Sequence, residues 1–158
     1  MLASYFDKIY IINLPSRLDR RNEMEAQLNK IGIKMSDKKV FLFPAIRPLE
    51  TGEFESVGAR GCFLSHLEVL KDAEVNGYER ILVLEDDLNF STQFSSRIEN
   101  VLEMLKNSKW SFFYGGYLND LSTESSNLIS SPKGVLEHIL LRSKPLKSHP
   151  LGSFLSCY

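Results

Sequence analysis

The chain has 158 residues, of which 43% are hydrophobic and 25% are charged, and its formal net charge is −1. These values are ordinary for a soluble globular protein and predict a single domain, residues 1–158, with a core of its own. A charge so close to zero argues against nucleic-acid binding, for which a basic excess is typical.

The N-terminal apolar run at residues 9–14 is too short for a signal peptide or a membrane span. Cys62 and Cys157 are the only cysteines, too few for a disulfide framework, which favours a reducing compartment. We therefore expect a cytoplasmic protein without a membrane span.

Residues 8–14 are β-branched and aromatic and predict the first strand, and the spacing of apolar residues predicts a helix over residues 18–31. Ser16 is the expected N-cap of that helix, with Asp19 as its capping-box partner. A strand, a tight turn and a helix in this order predict the opening of a βαβ unit.

The turn before this helix is rich in arginine, with Arg17, Arg20 and Arg21 close to Asp19. Arginines at a helix N-terminus that follows a strand can bind a diphosphate through paired donors, helped by the helix dipole. The alternative is a solvated first turn, in which Asp19 suits the dipole and the arginines do not.

A second strand is predicted at residues 39–43 and a surface loop at residues 45–57. A helix then begins near Gly58-Ala59-Arg60-Gly61 and ends at Asn76-Gly77. Two glycines at a helix start allow a ligand to approach the backbone and its amide donors. The apolar stripe of this helix is predicted to be Phe63, Leu67 and Leu70.

Polar residues on this helix permit two further interpretations, and both are disfavoured. Cys62 and His66 share a helix face, but no second cysteine–histidine pair completes a zinc site. Ser65 and His66 are neighbours and point apart on a helix, which argues against a nucleophilic serine. His66 is expected either as a hydrogen-bonded core residue or in the wall of a pocket.

The stretch at residues 80–87 is the most informative, because four apolar residues are followed by Glu85, Asp86 and Asp87. The apolar run predicts a strand buried on both faces of a parallel sheet, and open α/β sheets bind ligands where such strands end. Carboxylates this close repel one another unless a cation lies among them. This predicts a divalent metal held by oxygen ligands, against the alternative of a solvated acidic turn.

The remaining elements are an amphipathic helix over residues 94–107 and a strand over residues 110–114. Asp120 follows that strand and is the candidate general base, with a plain surface acid as the alternative. Residues 121–132 predict a loop, and residues 135–141 fit a strand or a short helix equally. Residues 149–158 end on apolar side chains, a face through which two copies could associate.

Three of these stretches together resemble, in chain order, the signatures of the family 25 glycosyltransferases, which act in lipopolysaccharide and lipooligosaccharide biosynthesis and have collagen-modifying relatives. They are Tyr10-Ile11-Ile12-Asn13-Leu14-Pro15-Ser16-Arg17-Leu18-Asp19-Arg20-Arg21, Gly58-Ala59-Arg60-Gly61-Cys62-Phe63-Leu64-Ser65-His66 and Ile81-Leu82-Val83-Leu84-Glu85-Asp86-Asp87. The resemblance implies an α/β, GT-A-like fold with a Rossmann-type, mostly parallel sheet flanked by helices. It also implies inverting transfer of a hexose, galactose or glucose, from a UDP-sugar to a glycan or lipid-linked glycan hydroxyl.

The same resemblance implies roles for individual residues. Asp87 and Asp86 would bind Mn²⁺ or Mg²⁺, and Asp120 is the candidate base. The implied donor-binding residues are Asn13, Arg17, Asp19, Arg20, Gly58, Arg60, Gly61, Ser65, His66, Glu85 and Asp86.

The chain departs from the family pattern in length and near its end, where Ser156 stands at the position of a histidine that many members have. A C-terminally truncated chain is therefore one expectation, and a non-catalytic sugar-nucleotide-binding or assembly module is the alternative function. A response-regulator receiver domain also has an acidic motif after a strand, but there the motif opens the domain, whereas here eighty residues precede it.

Overall fold

A computed structural model describes residues 2–115 and the strand at residues 139–143. The helices are α1 (Leu2–Tyr5), α2 (Leu18–Lys30), α3 (Val57–Val75) and α4 (Phe94–Lys106). The strands are β1 (Lys8–Asn13), β2 (Val40–Pro44), β3 (Arg80–Glu85), β4 (Phe112–Tyr114) and β5 (Ile139–Ser143).

The strands form one sheet in the order β2-β1-β3-β5-β4. β1 pairs in parallel with both β2 and β3, whereas β5 runs antiparallel to β3 and to β4. The chain leaves β1 toward β2 on one side and later returns to β3 on the other side. The ends of β1 and β3 therefore form the kind of switch point at which open α/β sheets bind ligands.

Helices cover both faces of the sheet. On one face α1, α2 and α4 pack over Ile9, Ile11 and Leu82, and on the other α3 packs over Tyr10 and Val83. The alternation along β1 follows from the two-residue period of a strand, and burial of both faces explains the unbroken apolar run of β3. The predicted α/β class, with a mostly parallel sheet flanked by helices, is confirmed.

Several element boundaries differ from the sequence prediction. The N-cap position of α2 is Arg17 rather than Ser16, and no side chain caps this end, because Ser16 lies one residue too far upstream and Asp19 binds Arg17 instead. Helix α3 is capped by Ser56, whose hydroxyl accepts the Ala59 amide at 3.0 Å.

The buried face of α3 also differs from the predicted stripe. Phe63 and Leu67 are only half-buried, and the helix packs on the sheet through Val69, Leu70 and Ala73. The segment at residues 135–141, left open as strand or helix, overlaps β5 (Ile139–Ser143), so its described part is a strand. The predictions for Asp120, for residues 121–132 and for residues 149–158 lie outside the described residues.

Candidate functional site

The site is organised where β1 and β3 end side by side. Ile12 pairs with Glu85 in the parallel register, so the next residues along each strand, Asn13 and Asp86, are neighbours. The Asn13 side-chain amide donates to Asp86 Oδ2 at 2.7 Å. Asn13 is itself buried and donates to the Arg17 carbonyl, so one amide joins the acidic strand end to the arginine turn.

Arg20, from the first turn of α2, spans the two aspartates. Its Nη1 lies 3.3 Å from Asp86 Oδ1 and 2.9 Å from Asp87 Oδ2. The hydrogen bond to Asp87 is the main cause of a raised Arg20 pKa. The Asp86 side chain is 15% exposed and that of Asp87 is 46% exposed, so only Asp86 is largely shielded from solvent.

Arg17 is neutralised by a different carboxylate. Its guanidinium binds Asp19 through Nε at 3.0 Å and Nη2 at 2.7 Å, and both side chains are exposed. This hydrogen bonding lowers the Asp19 pKa to about 2. The counter-ion of Arg17 is therefore Asp19, whereas the counter-ions of Arg20 are the two aspartates at the end of β3.

The turn after the aspartates is attached to α2 by Gln27. The side-chain amide of Gln27 donates to Asn89 Oδ1 at 2.9 Å, and its oxygen accepts the Phe90 amide at 3.1 Å. Leu88 and Phe90 are buried beneath this turn. These contacts fix the backbone immediately beyond Asp87.

Helix α3 holds the loop at residues 45–56 close to its own N-terminal half. Ser65 Oγ accepts the Ile46 amide at 2.8 Å and donates to the Gly61 carbonyl at 2.7 Å. A Cβ at Gly61 would lie 2.5 Å from the Ile46 carbonyl oxygen, so only glycine allows this approach. Arg60 points away toward the same loop and donates to the Glu50 carbonyl at 2.8 Å.

His66 and Glu85 meet on the floor of the site. His66 is 7% exposed and its Nε2 lies 3.2 Å from Glu85 Oε1, while Nδ1 is buried and has no hydrogen-bond partner among the described residues. His66 is therefore both hydrogen-bonded and part of the pocket wall. Cys62 lies close to both, but it carries no free thiol, so the three side chains do not supply a thiolate zinc site.

Together these elements enclose a cleft of about 640 Å³ at the C-terminal ends of β1, β2 and β3. The walls come from the β1–α2 turn, the loop after β2, the start of α3 and the end of β3. Its lining residues are Ile12, Leu14, Ser16, Arg17, Arg20, Ala45, Ile46, Arg47, Val57, Gly58, Gly61, Cys62, Ser65, His66, Glu85 and Asp86.

Of the twelve predicted site residues that the structure describes, eight line one cleft and four do not. Asn13 lies behind Asp86, Asp19 is exposed beside Arg17, Arg60 supports the loop, and Asp87 lies outside the lining but binds Arg20. Arg47 was not predicted. It lines the cleft, is exposed and makes no ion pair within the described part of the chain.

No helix among the described residues is long and apolar enough to cross a membrane.

Comparison with known proteins identifies a family that this chain resembles. A sequence profile described as "Glycosyltransferase family 25 (LPS biosynthesis protein)" matches residues 42–153.

Individual relatives agree with the profile. The human "Inactive glycosyltransferase 25 family member 3" is 30% identical over 129 residues, covering 70% of this chain and 22% of the relative. The Xenopus laevis "Procollagen galactosyltransferase 1-B" is 30% identical over 129 residues, covering 70% of this chain and 21% of the relative. The chain thus spans about a fifth of the length of these relatives. With the profile covering most of its length, the chain belongs to glycosyltransferase family 25.

Proposed function

We propose that the chain binds a UDP-sugar in the cleft and acts as a metal-dependent, inverting hexosyltransferase. The hexose would be galactose or glucose and the acceptor a glycan or lipid-linked glycan hydroxyl, as in lipopolysaccharide or other surface-glycan assembly. One observation carries the proposal. Arg17, Arg20 and Asp86 line one cleft at the β1/β3 switch point.

The size and chemistry of the cleft suit a nucleoside diphosphate sugar. A volume of about 640 Å³ lies within the range of small-molecule sites. Arg20 and Arg47 provide guanidinium groups, which recognise phosphate through paired donors. Apolar residues such as Ile12, Leu14 and Val57 supply the rest of the lining that a base or sugar ring could contact.

The residues at the end of β3 fit a divalent cation. Asp86 and Asp87 offer carboxylate oxygens, the ligands that Mg²⁺ and Mn²⁺ prefer, and their present counter-ion is a single guanidinium. When bound there, the ion would neutralise negative charge that develops on the departing diphosphate.

The proposed reaction forms a bond from the acceptor oxygen to the anomeric carbon of the sugar. The bond from that carbon to the diphosphate breaks, and UDP leaves with its electron pair. The hydroxyl proton passes to a base. Asp120 stays the predicted base, and it lies outside the described residues. Within the described part, the arginines would orient the diphosphate and Asn13 would hold Asp86 in place.

The alternative function is a sugar-nucleotide-binding module without transfer. The human relative named "Inactive glycosyltransferase 25 family member 3" favours this alternative. Both functions require binding of the sugar nucleotide, but only the transferase function requires turnover.

Calorimetry with UDP, with and without Mn²⁺, tests donor binding by the chain. We expect binding that depends on Mn²⁺ and that falls at least about tenfold in Asp87→Ala, because about 1.4 kcal/mol of metal-mediated attraction is lost. Glu103→Gln, which removes an exposed carboxylate on α4, is the matched control and should bind as the wild type does. Release of UDP from UDP-galactose then separates a transferase from a binding module. If wild-type chain binds no UDP under either condition, both functions are wrong.

A further inference from the structure

Arg20 is engaged by the same carboxylates that the proposed function assigns to a metal. Its Nη1 contacts Asp86 Oδ1 and Asp87 Oδ2 at 3.3 and 2.9 Å. Both carboxylate oxygens face one positive charge. A cation placed between the two aspartates would meet this guanidinium at close range, and like charges at such a distance repel.

Asp86 has a hydrogen bond that does not depend on Arg20. Asp86 Oδ2 accepts the Asn13 amide at 2.7 Å, so one oxygen stays fixed whether or not Arg20 is present. Asp86 Oδ1 and Asp87 Oδ2 are the two oxygens that Arg20 occupies. Departure of Arg20 would therefore free one oxygen on each aspartate while Asn13 keeps Asp86 oriented.

A ligand in the cleft could offer the Arg20 guanidinium other partners. It lines the cleft, its side chain is 30% exposed, and it comes from the first turn of α2, where the helix dipole favours an anion. A diphosphate bound in the cleft would offer the guanidinium new acceptors at the moment the aspartates are taken by a cation.

We propose that Arg20 is an exchangeable counter-ion. It neutralises Asp86 and Asp87 in the empty cleft, and it transfers to the diphosphate when a divalent cation replaces it. This inference rests on the proposed function and adds a coupling to it. Arg20 weakens metal binding in the absence of nucleotide and strengthens nucleotide binding in the presence of metal. Metal and nucleotide therefore bind with positive cooperativity.

The experiment measures Mn²⁺ binding to the nucleotide-free chain, by calorimetry and by the electron paramagnetic resonance signal of free Mn²⁺. Arg20→Gln should bind Mn²⁺ at least about fivefold more tightly than the wild type, since about 1 kcal/mol of competing ion pairing is removed. With Mn²⁺ saturating, the same variant should bind UDP at least about fivefold more weakly. The exchange therefore predicts a gain in Mn²⁺ affinity together with a loss of UDP affinity in the same variant.

Lys30→Gln is the matched control. It removes one positive charge from the last turn of the same helix, α2. Lys30 is exposed, lies outside the cleft and makes no ion pair with the described carboxylates, so Mn²⁺ binding without nucleotide should stay as in the wild type. Arg20→Lys keeps the charge and should remain close to the wild type in Mn²⁺ affinity. Thermal unfolding of each variant verifies that the fold is retained.

Equal or weaker Mn²⁺ binding by Arg20→Gln would overturn the exchange, even if wild-type chain binds UDP with Mn²⁺ as proposed. Equal tightening in Lys30→Gln would also overturn it, because the effect would then reflect overall charge. Failure of the proposed function can be distinguished from failure of the exchange, because the wild-type chain would then bind no UDP at any Mn²⁺ concentration.

Discussion

Gly61 offers a direct test of how α3 shapes the cleft. It lies in the first turns of α3, and a Cβ built there meets the Ile46 carbonyl oxygen at 2.5 Å and Pro48 Cδ at 3.2 Å. Because a carbon–oxygen contact is comfortable near 3.3 Å, Gly61→Ala must move the loop by roughly 0.8 Å. Ile46 lines the cleft, so the shift changes the shape of the site.

The magnitude follows from two opposing effects. Alanine in place of glycine stabilises a helix interior by about 1 kcal/mol, and forcing a methyl group into a packed contact costs about 1–3 kcal/mol. The net free energy of unfolding of Gly61→Ala should therefore fall by about 0–2 kcal/mol. At about 2–4 °C per kcal/mol for a chain of this size, the Tm falls by up to about 8 °C.

Gly58→Ala is the matched variant on the same helix. Among the described residues, a Cβ at Gly58 meets only Ser56 Oγ at 3.6 Å, which is an ordinary contact. Thermal and urea unfolding should show Gly58→Ala equal to or more stable than wild type, and Gly61→Ala less stable than Gly58→Ala by about 1–3 kcal/mol. Equal stability of the two variants, with equal UDP affinity, would refute the close approach of the loop to α3.

Two further predictions concern buried polar contacts. Ser65→Ala leaves the Ile46 amide without its acceptor and should lower the free energy of unfolding by about 1–3 kcal/mol, measured by urea unfolding; no loss would mean that water replaces the hydroxyl. Burial and the hydrogen bond to Asp72 raise the Tyr10 pKa above its usual value of 10.0, so its contribution to stability is present below about pH 10 and is lost as the pH rises further. Tyr10→Phe should therefore lose less stability than wild type between pH 9 and about pH 11, and identical pH profiles would contradict the assignment.

The sequence was sufficient for the elements whose pattern is local. The apolar run of β3 and the helical spacing in α4 each depend on residues a few positions apart, and both elements lie where predicted. The proximity of Asn13 to the acids also follows from two strands that end at one edge of a parallel sheet.

Contacts between distant segments could not be predicted in this way. Ser65 binds Ile46 across nineteen residues of chain, and nothing in either neighbourhood marks the pair. Arg60 has the sequence context of a ligand-binding residue, yet its guanidinium reaches back to the Glu50 carbonyl. Arg47 lies in a loop whose sequence has no periodic pattern of apolar residues. It reaches the cleft only because α3 holds that loop in place.

The arginine turn shows why residue type and proximity do not by themselves assign a role. Arg17 and Arg20 have the same charge and lie three residues apart, so the sequence gives no reason to prefer Arg20 for a diphosphate. The difference is in their partners: Asp19 occupies both Nε and Nη2 of Arg17 from two residues away, whereas the partners of Arg20 come from the end of β3. A ligand that changes the charge at the end of β3 therefore acts on Arg20 directly, whereas the counter-ion of Arg17, Asp19, lies in the same turn and not at that strand end.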